Sequence, residues 1–163
     1  MRSTKISKPP EKTPNPKSSA SYQGHPIHPM LVTLPIGFWI ATLLADLGYW
    51  WFRTDLWPIA AMWLLGAGIV GGVVAAIAGY IDFSGDERIR SLEAAGQHAF
   101  GNVVAILVAI FNFAWRYNDG PAGVLPTGLI LSLIVVALIM YTGWKGGEMV
   151  FRHRVAVADE PSS

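Results

Sequence analysis

The sequence predicts an all-α integral membrane protein, a four-helix up-down bundle preceded by a disordered polar tail. Hydrophobic residues make up 52% of the chain and charged residues only 14%, whereas a soluble domain carries roughly 25% charged residues. The charges lie mainly between four apolar runs, each close to the roughly 20 residues that cross the hydrocarbon core of a bilayer. The predicted spans cover about residues 30–51, 59–82, 97–116 and 124–145, within one domain over residues 24–157.

The two ends of the chain are polar. Residues 1–23 are rich in Pro, Ser and Lys and lack the short apolar core of a signal peptide, so we expect a disordered tail there. Residues 158–163 form a short C-terminal tail. Only Arg53 and Arg116, of the 12 Lys and Arg residues, fall on the side opposite the termini. The positive-inside rule therefore predicts that both termini lie in the cytoplasm, and we expect the membrane to be a bacterial inner membrane.

The first predicted span opens with two histidines, His25 and His28, each followed by a proline. A residue before proline is held in extended geometry, and Pro29 suits the first turn of a helix. We expect one of these histidines to be a ligand of a bound group and the other to lie beside it. The alternative is that both are interfacial groups in a rigid turn.

Asp46 lies inside the first predicted span. A carboxylate within a membrane is costly, so it usually faces the bundle interior and marks function. The alternative is a hydrogen-bonded carboxylate near the outer headgroups that serves assembly.

The second predicted span carries small residues at helical spacing, which predicts a close approach by another helix. This stripe contains Gly68, Gly72, Ala75 and Gly79, and it ends at Asp82 on the membrane surface. The connection that follows contains Ser84-Gly85-Asp86-Glu87, the pattern of a capping box, and therefore predicts a short helix.

The third predicted span has a polar and small stripe of the same period, formed by His98, Asn102, Ala105, Ala109 and Asn112. Amides inside a membrane need hydrogen-bond partners, so this stripe should face the bundle interior. His98 is therefore the strongest ligand candidate. The alternative is a histidine bonded to Asp82 or to a backbone carbonyl.

Up-down connectivity brings the polar ends of all four spans to one end of the bundle. Histidine is the commonest metal ligand, and imidazoles on facing helices can hold haem iron or another transition metal. We therefore expect b-type haem or a transition metal, with candidate cofactor ligands His98, His28, His25 and His153. A mixed metal site would instead use His98, His28, Asp82 and Glu148. The absence of cysteine excludes iron–sulfur clusters, thiolate zinc sites and covalently attached haem.

The opening and closing motifs of this region resemble those of predicted membrane proteins grouped as domain-of-unknown-function family 2231. They are Gly24-His25-Pro26-Ile27-His28-Pro29-Met30, Pro35-Ile36-Gly37, Ala45-Asp46, the His98 region and Gly143-Trp144-Lys145-Gly146-Gly147-Glu148-Met149-Val150-Phe151-Arg152-His153. The likeness covers about residues 24–157. It implies a four-span membrane protein with a histidine-bearing surface and carries over no activity. Arg154 and Ala156 stand where the family usually has glycines.

Three functions are compatible with these patterns. The first is a small redox protein that binds haem b or a transition metal, and the second is a non-catalytic subunit that assembles with itself or with a respiratory or transport complex. The third, with the least support, is a small transporter that uses Asp46, Asn102 and Asn112, since the chain has no internal repeat. Besides lipid, we expect a homo-oligomer or redox partner and no nucleic acid. The sequence has no nucleophile with a positioned base and no phosphate-binding loop, so an enzyme of the soluble type is not expected.

Overall fold

Four long helices form an up-down bundle, which confirms the predicted fold class. A computed structural model describes residues 14–159; most of the predicted tail, residues 1–13, and residues 160–163 lie outside the described range. The long helices are α2 (Thr33–Phe52), α3 (Leu56–Gly85), α5 (Glu93–Asp119) and α6 (Thr127–His153). They pack in a ring in which α2 contacts α3 and α6, and α5 contacts α3 and α6.

Short elements connect or precede these helices. They are β1 (Ser21–Tyr22), β2 (His25–Pro26), α1 (Ile27–Leu31), α4 (Glu87–Arg90) and a 3-10 helix (Gly120–Val124). The strands form an antiparallel pair in which Tyr22 faces His25. We call the end of the bundle that carries residues 14–26, α4 and residues 154–159 the terminal end. The opposite end, with residues 53–55 and 120–126, is the loop end.

The helices are long and apolar enough to cross a bilayer. The four candidate spans are Ile27–Phe52, Leu56–Gly85, Glu93–Val124 and Thr127–His153, each longer than predicted. Their outward faces expose large apolar side chains such as Trp63, Leu107 and Met140. The interior contains a buried apolar cluster of Trp39, Leu65, Ala105, Ala109, Val135 and Ile139. An exposed apolar surface around a small core is what a lipid environment favours.

The glycine stripe of α3 lets α2 approach closely. A Cβ at Gly68 would overlap the indole Nε1 of Trp39, and a Cβ at Gly72 would lie 3.0 Å from the same ring. Because glycine has no side chain at these positions, the indole lies directly on the α3 backbone and fills the space between the helices.

Residues 14–23 differ from the predicted disordered tail, because long-range bonds fold them onto the terminal end. Asp82 Oδ1 accepts hydrogen bonds from Ser18 Oγ at 2.8 Å and from the Ala20 amide at 2.7 Å. The Pro16 carbonyl accepts a bond from the Ala156 amide at 2.8 Å. The polar composition of this segment suggested disorder, but the acceptors that order it lie far away in the sequence.

The predicted short helix after α3 is present as α4, with a different cap. Asp86 is the N-cap residue, and its carboxylate accepts from the Arg88 amide at 2.9 Å. Ser84 instead lies in the last turn of α3 and donates to the Tyr80 carbonyl at 2.7 Å. Ile89 is the buried residue of α4.

Candidate functional site

His28 and His98 meet at the terminal end of the bundle. Their ring centroids lie 5.9 Å apart, with an angle of 85° between the ring planes. His28 belongs to α1, which leads directly into α2, and His98 belongs to α5, the helix diagonal to α2 in the ring. Both side chains are half-buried.

Each of these two rings is held by a backbone carbonyl. His28 Nδ1 donates to the Ala75 carbonyl at 2.8 Å, and His98 Nδ1 donates to the Thr142 carbonyl at 2.8 Å. Because a carbonyl oxygen can only accept, Nδ1 carries the hydrogen in both rings. In the neutral form each Nε2 then has a free lone pair, which is the arrangement that second-shell carbonyls give to metal-binding histidines.

Small residues make room for both rings. A Cβ at Gly79 would lie 2.9 Å from His28 Cε1, and a Cβ at Gly146 would lie 3.4 Å from His98 Cε1. The rings therefore lie against the backbones of α3 and α6. Gly79, which belongs to the α3 stripe that predicted helix packing, therefore also accommodates the His28 imidazole.

The two carboxylates predicted as metal ligands are engaged elsewhere. Asp82 anchors the N-terminal segment through Ser18 and the Ala20 amide. Glu148 forms ion pairs with Lys145 at 3.3 Å and with Arg152 at 3.0 Å. Within residues 14–159, no group of three or more histidines and carboxylates is arranged to hold a metal ion.

The other two candidate histidines are exposed and lie apart from the pair. His25 is on β2, and its Nδ1 lies 3.1 Å from the Gln23 carbonyl oxygen. His153 is the last residue of α6. The structure thus brings together two of the four histidines considered from the sequence.

Asn102 supports the His98 region. Its amide nitrogen donates to the His98 carbonyl at 2.8 Å, and its Oδ1 accepts from Thr142 Oγ1 at 3.2 Å. Thr142 therefore bonds α5 through its hydroxyl as well as through the carbonyl that holds the His98 ring. Asn102 therefore helps to position Thr142, whose carbonyl holds the His98 ring.

A second polar group lies near the loop end, where Asp46 forms a buried ion pair with Arg116. Arg116 Nη1 donates to Asp46 Oδ1 at 2.6 Å, and Nη2 donates to Oδ2 at 2.7 Å. The side chains are 0% and 2% exposed for Asp46 and Arg116, respectively. This bidentate geometry is the strong form of a guanidinium–carboxylate pair.

Two further side chains accept hydrogen bonds from Arg116. Its Nε donates to Asn112 Oδ1 at 2.8 Å, and Nη2 also donates to Ser132 Oγ at 3.0 Å. The Asn112 amide nitrogen donates to Ser132 Oγ at 3.1 Å and to the Gly128 carbonyl at 3.3 Å. The network therefore joins α2, α5 and α6.

Arg116, Ser132 and Thr142 were not predicted as site residues. Arg116 follows Asn112 by four residues and so continues the polar stripe of α5, which was the available signal. Arg116 is also the last residue of the third predicted span, where a charged side chain is expected at the membrane surface. The Asp46 partner is 70 residues away, a separation at which local pattern carries no pairing information.

The comparisons with known proteins agree with this architecture. The family model described as predicted membrane protein (DUF2231) matches residues 24–159. No curated protein and no solved structure matches the chain. The match spans all four long helices and both polar groups, so the chain is a multi-pass membrane protein that belongs to the DUF2231 family.

Proposed function

We propose that this protein binds a transition-metal ion at the terminal end of the bundle, with Nε2 of His28 and Nε2 of His98 as the protein ligands. The observation that carries the proposal is that each ring donates its Nδ1 hydrogen to a backbone carbonyl at 2.8 Å. Such bonds fix the tautomer and the ring orientation before a metal arrives.

The separation of the rings also supports a shared ion. Two metal–nitrogen bonds of about 2 Å, together with the ring dimensions, put the centroids of two imidazoles on one ion roughly 5 Å apart at a tetrahedral angle and roughly 6 Å apart when the two bonds are collinear. The observed separation is 5.9 Å. The perpendicular ring planes do not oppose this arrangement, since each lone pair lies in the plane of its own ring.

The surroundings favour an ion over haem. Cε1 is bonded to Nε2, and a porphyrin on that nitrogen would extend beside it. In both rings this side faces the backbone of a helix, at Gly79 for His28 and at Gly146 for His98. Haem would therefore have to separate α3 or α6 from the rings, whereas a single ion would not.

The alternative functions have less support. Asp46, needed by a transporter, is fully bonded to Arg116, and the apolar cluster around Trp39 and Val135 lies between the two polar groups. Assembly with itself or with a respiratory or other redox complex stays a prediction that the exposed apolar helix faces permit without favouring.

We infer further that the terminal end faces the cytoplasm of a bacterial inner membrane. Arg116 is neutralised by Asp46, which leaves Arg53 as the one Lys or Arg on the loop side that is outside this ion pair. The excess of Lys and Arg at the terminal end supports a cytoplasmic location for that end.

The test is metal binding by the full chain purified in mild detergent. The wild-type protein should bind one equivalent of metal when Co(II), Zn(II) or Cu(I) is titrated, and His28→Asn and His98→Asn should each weaken binding by at least tenfold. His25→Asn and His153→Asn are matched controls, because these exposed histidines lie at the same end outside the pair, and both should bind normally.

Three results would overturn the proposal. They are the absence of binding by all three ions, equal losses in the control variants, and a visible spectrum with haem bands that disappear in His98→Asn. The last result would assign haem to the same histidine in place of an ion.

A further inference from the structure

We infer that the His28–His98 site selects the monovalent cuprous ion over divalent transition metals. This inference rests on the proposed function and specifies the ion. It follows from the number of ligands that the described residues offer, from their charge, and from the position of the site at the end of a membrane bundle.

The ligand set consists of two neutral nitrogens. Both imidazoles hold a hydrogen on Nδ1 and are left with one lone pair each. Glu148, which could have supplied an anion, is paired with Lys145 and Arg152. Within residues 14–159 no third histidine or carboxylate joins the pair.

Asp82 lies near Ala75 and Gly79, the α3 residues that contact His28. Its carboxylate, however, binds the N-terminal segment. Oδ1 accepts both the Ser18 hydroxyl and the Ala20 amide, and the Ala20 carbonyl in turn accepts from the Ile27 amide at 2.9 Å. The carboxylate thus anchors the segment that leads into His28. It acts as a positioning residue and leaves the charge of the ligand set at zero.

A neutral ligand set favours a low ionic charge. The cost of moving an ion out of water grows with the square of its charge, and no anion in the set offsets that cost here. A divalent ion would keep its full double charge between two half-buried rings at the end of an apolar bundle. A monovalent ion would keep only a single charge there.

The number of available ligands, two, also favours the cuprous ion. Zn²⁺ takes four ligands in tetrahedral geometry, and Cu²⁺ prefers four or more in a tetragonal arrangement. Ca²⁺ and Mg²⁺ require sets of oxygen ligands. The cuprous ion has a filled d shell and is stable with two nitrogen ligands in a line, and the centroid separation of 5.9 Å suits that geometry.

The experiment compares affinities on the full chain in detergent. Cu(I) is supplied without oxygen, in the presence of ascorbate and a chromophoric cuprous chelator, and Zn(II) and Co(II) are titrated against chelators of known affinity. Cu(I) should bind with a 1:1 stoichiometry and at least 100-fold more tightly than either divalent ion. His28→Asn and His98→Asn should abolish this preference, and His25→Asn and His153→Asn should retain it.

X-ray absorption at the copper edge supplies an independent measurement. Two nitrogen neighbours with no further ligand support the inference, and three or four neighbours overturn it. Divalent ions that bind through His28 and His98 as tightly as Cu(I) would overturn the cuprous inference but leave the metal-binding function in place. No binding by any of the three ions would overturn both.

Discussion

The guanidinium of Arg116 donates hydrogen bonds to both carboxylate oxygens of Asp46, at 2.6 and 2.7 Å, across the diagonal of the bundle. These two residues come from α5 and α2, which are opposite members of the helix ring. An ion pair with both charges buried is costly to form and much more costly to break. The pair therefore fixes the register of two helices that share little other contact.

Removing one member of this ion pair should destabilise the bundle strongly. We expect Arg116→Met or Asp46→Leu to lower the free energy of unfolding by about 3–5 kcal/mol, because each leaves an uncompensated buried charge. The double variant Asp46→Leu/Arg116→Met should recover most of that loss. Unfolding of detergent-solubilised protein by denaturant measures all three, and a double variant as unstable as the sum of the single ones would contradict the pairing.

Gly68 should tolerate no side chain. A Cβ there would overlap the buried indole of Trp39, so Gly68→Ala should cost about 1–3 kcal/mol through overpacking. Gly37→Ala on α2 is the matched control, because a Cβ at Gly37 meets nothing within 4 Å. That variant should be neutral or up to about 1 kcal/mol more stable. Equal thermal stability of the two variants would argue against the close Trp39 contact.

Replacing Ala156 with glycine should stabilise the protein. Its φ is +61°, a left-handed conformation that costs a residue with a Cβ roughly 1–2 kcal/mol. Arg154, with φ +53°, has the same left-handed conformation. Ala156→Gly should therefore raise the melting temperature slightly, while Ala158→Gly, whose backbone is not left-handed, should not. A lower melting temperature for Ala156→Gly would contradict the assigned turn.

Asp86 should titrate at unusually low pH because of Arg88. The hydrogen bond from the Arg88 side chain lowers the pKa of this carboxyl from 3.8 to about 2. Since the folded state favours the carboxylate, its contribution to stability is present above pH 3.8 and is lost as the pH falls towards 2. Arg88→Leu should move the pKa back towards 3.8, as measured by NMR titration of the carboxyl carbon. Arg90→Leu removes a neighbouring charge that pairs with Glu87 instead, and it should leave the Asp86 pKa low.

Sequence pattern predicted the four long helices well, for a physical reason. Apolar length and helical periodicity are local, so the four spans and the inward face of His98 and Asn112 could be inferred from single segments. The partners of those residues could not. Neither the Ala75 carbonyl beneath His28 nor the Asp46 carboxylate opposite Arg116 is marked by any local pattern.

The N-terminal segment illustrates the same limit. Lys17, Ser18 and their neighbours have the composition of a disordered tail, yet Ser18 bonds Asp82, 64 residues away. Composition predicts whether a segment can bury apolar area by itself. It carries no information about polar anchors that the rest of the fold supplies.

The apolar cluster in the middle of the bundle separates the histidine pair from the Asp46–Arg116 ion pair. His98 and Arg116 lie towards opposite ends of α5, about 27 Å apart along its axis at 1.5 Å per residue, with Ala105 and Ala109 buried between them. Perturbations separated by more than about 10 Å without shared partners are usually additive. The two ends of the molecule are therefore energetically independent, so the histidine end can acquire, exchange or lose its ligand while the ion pair at the other end keeps the helices in register.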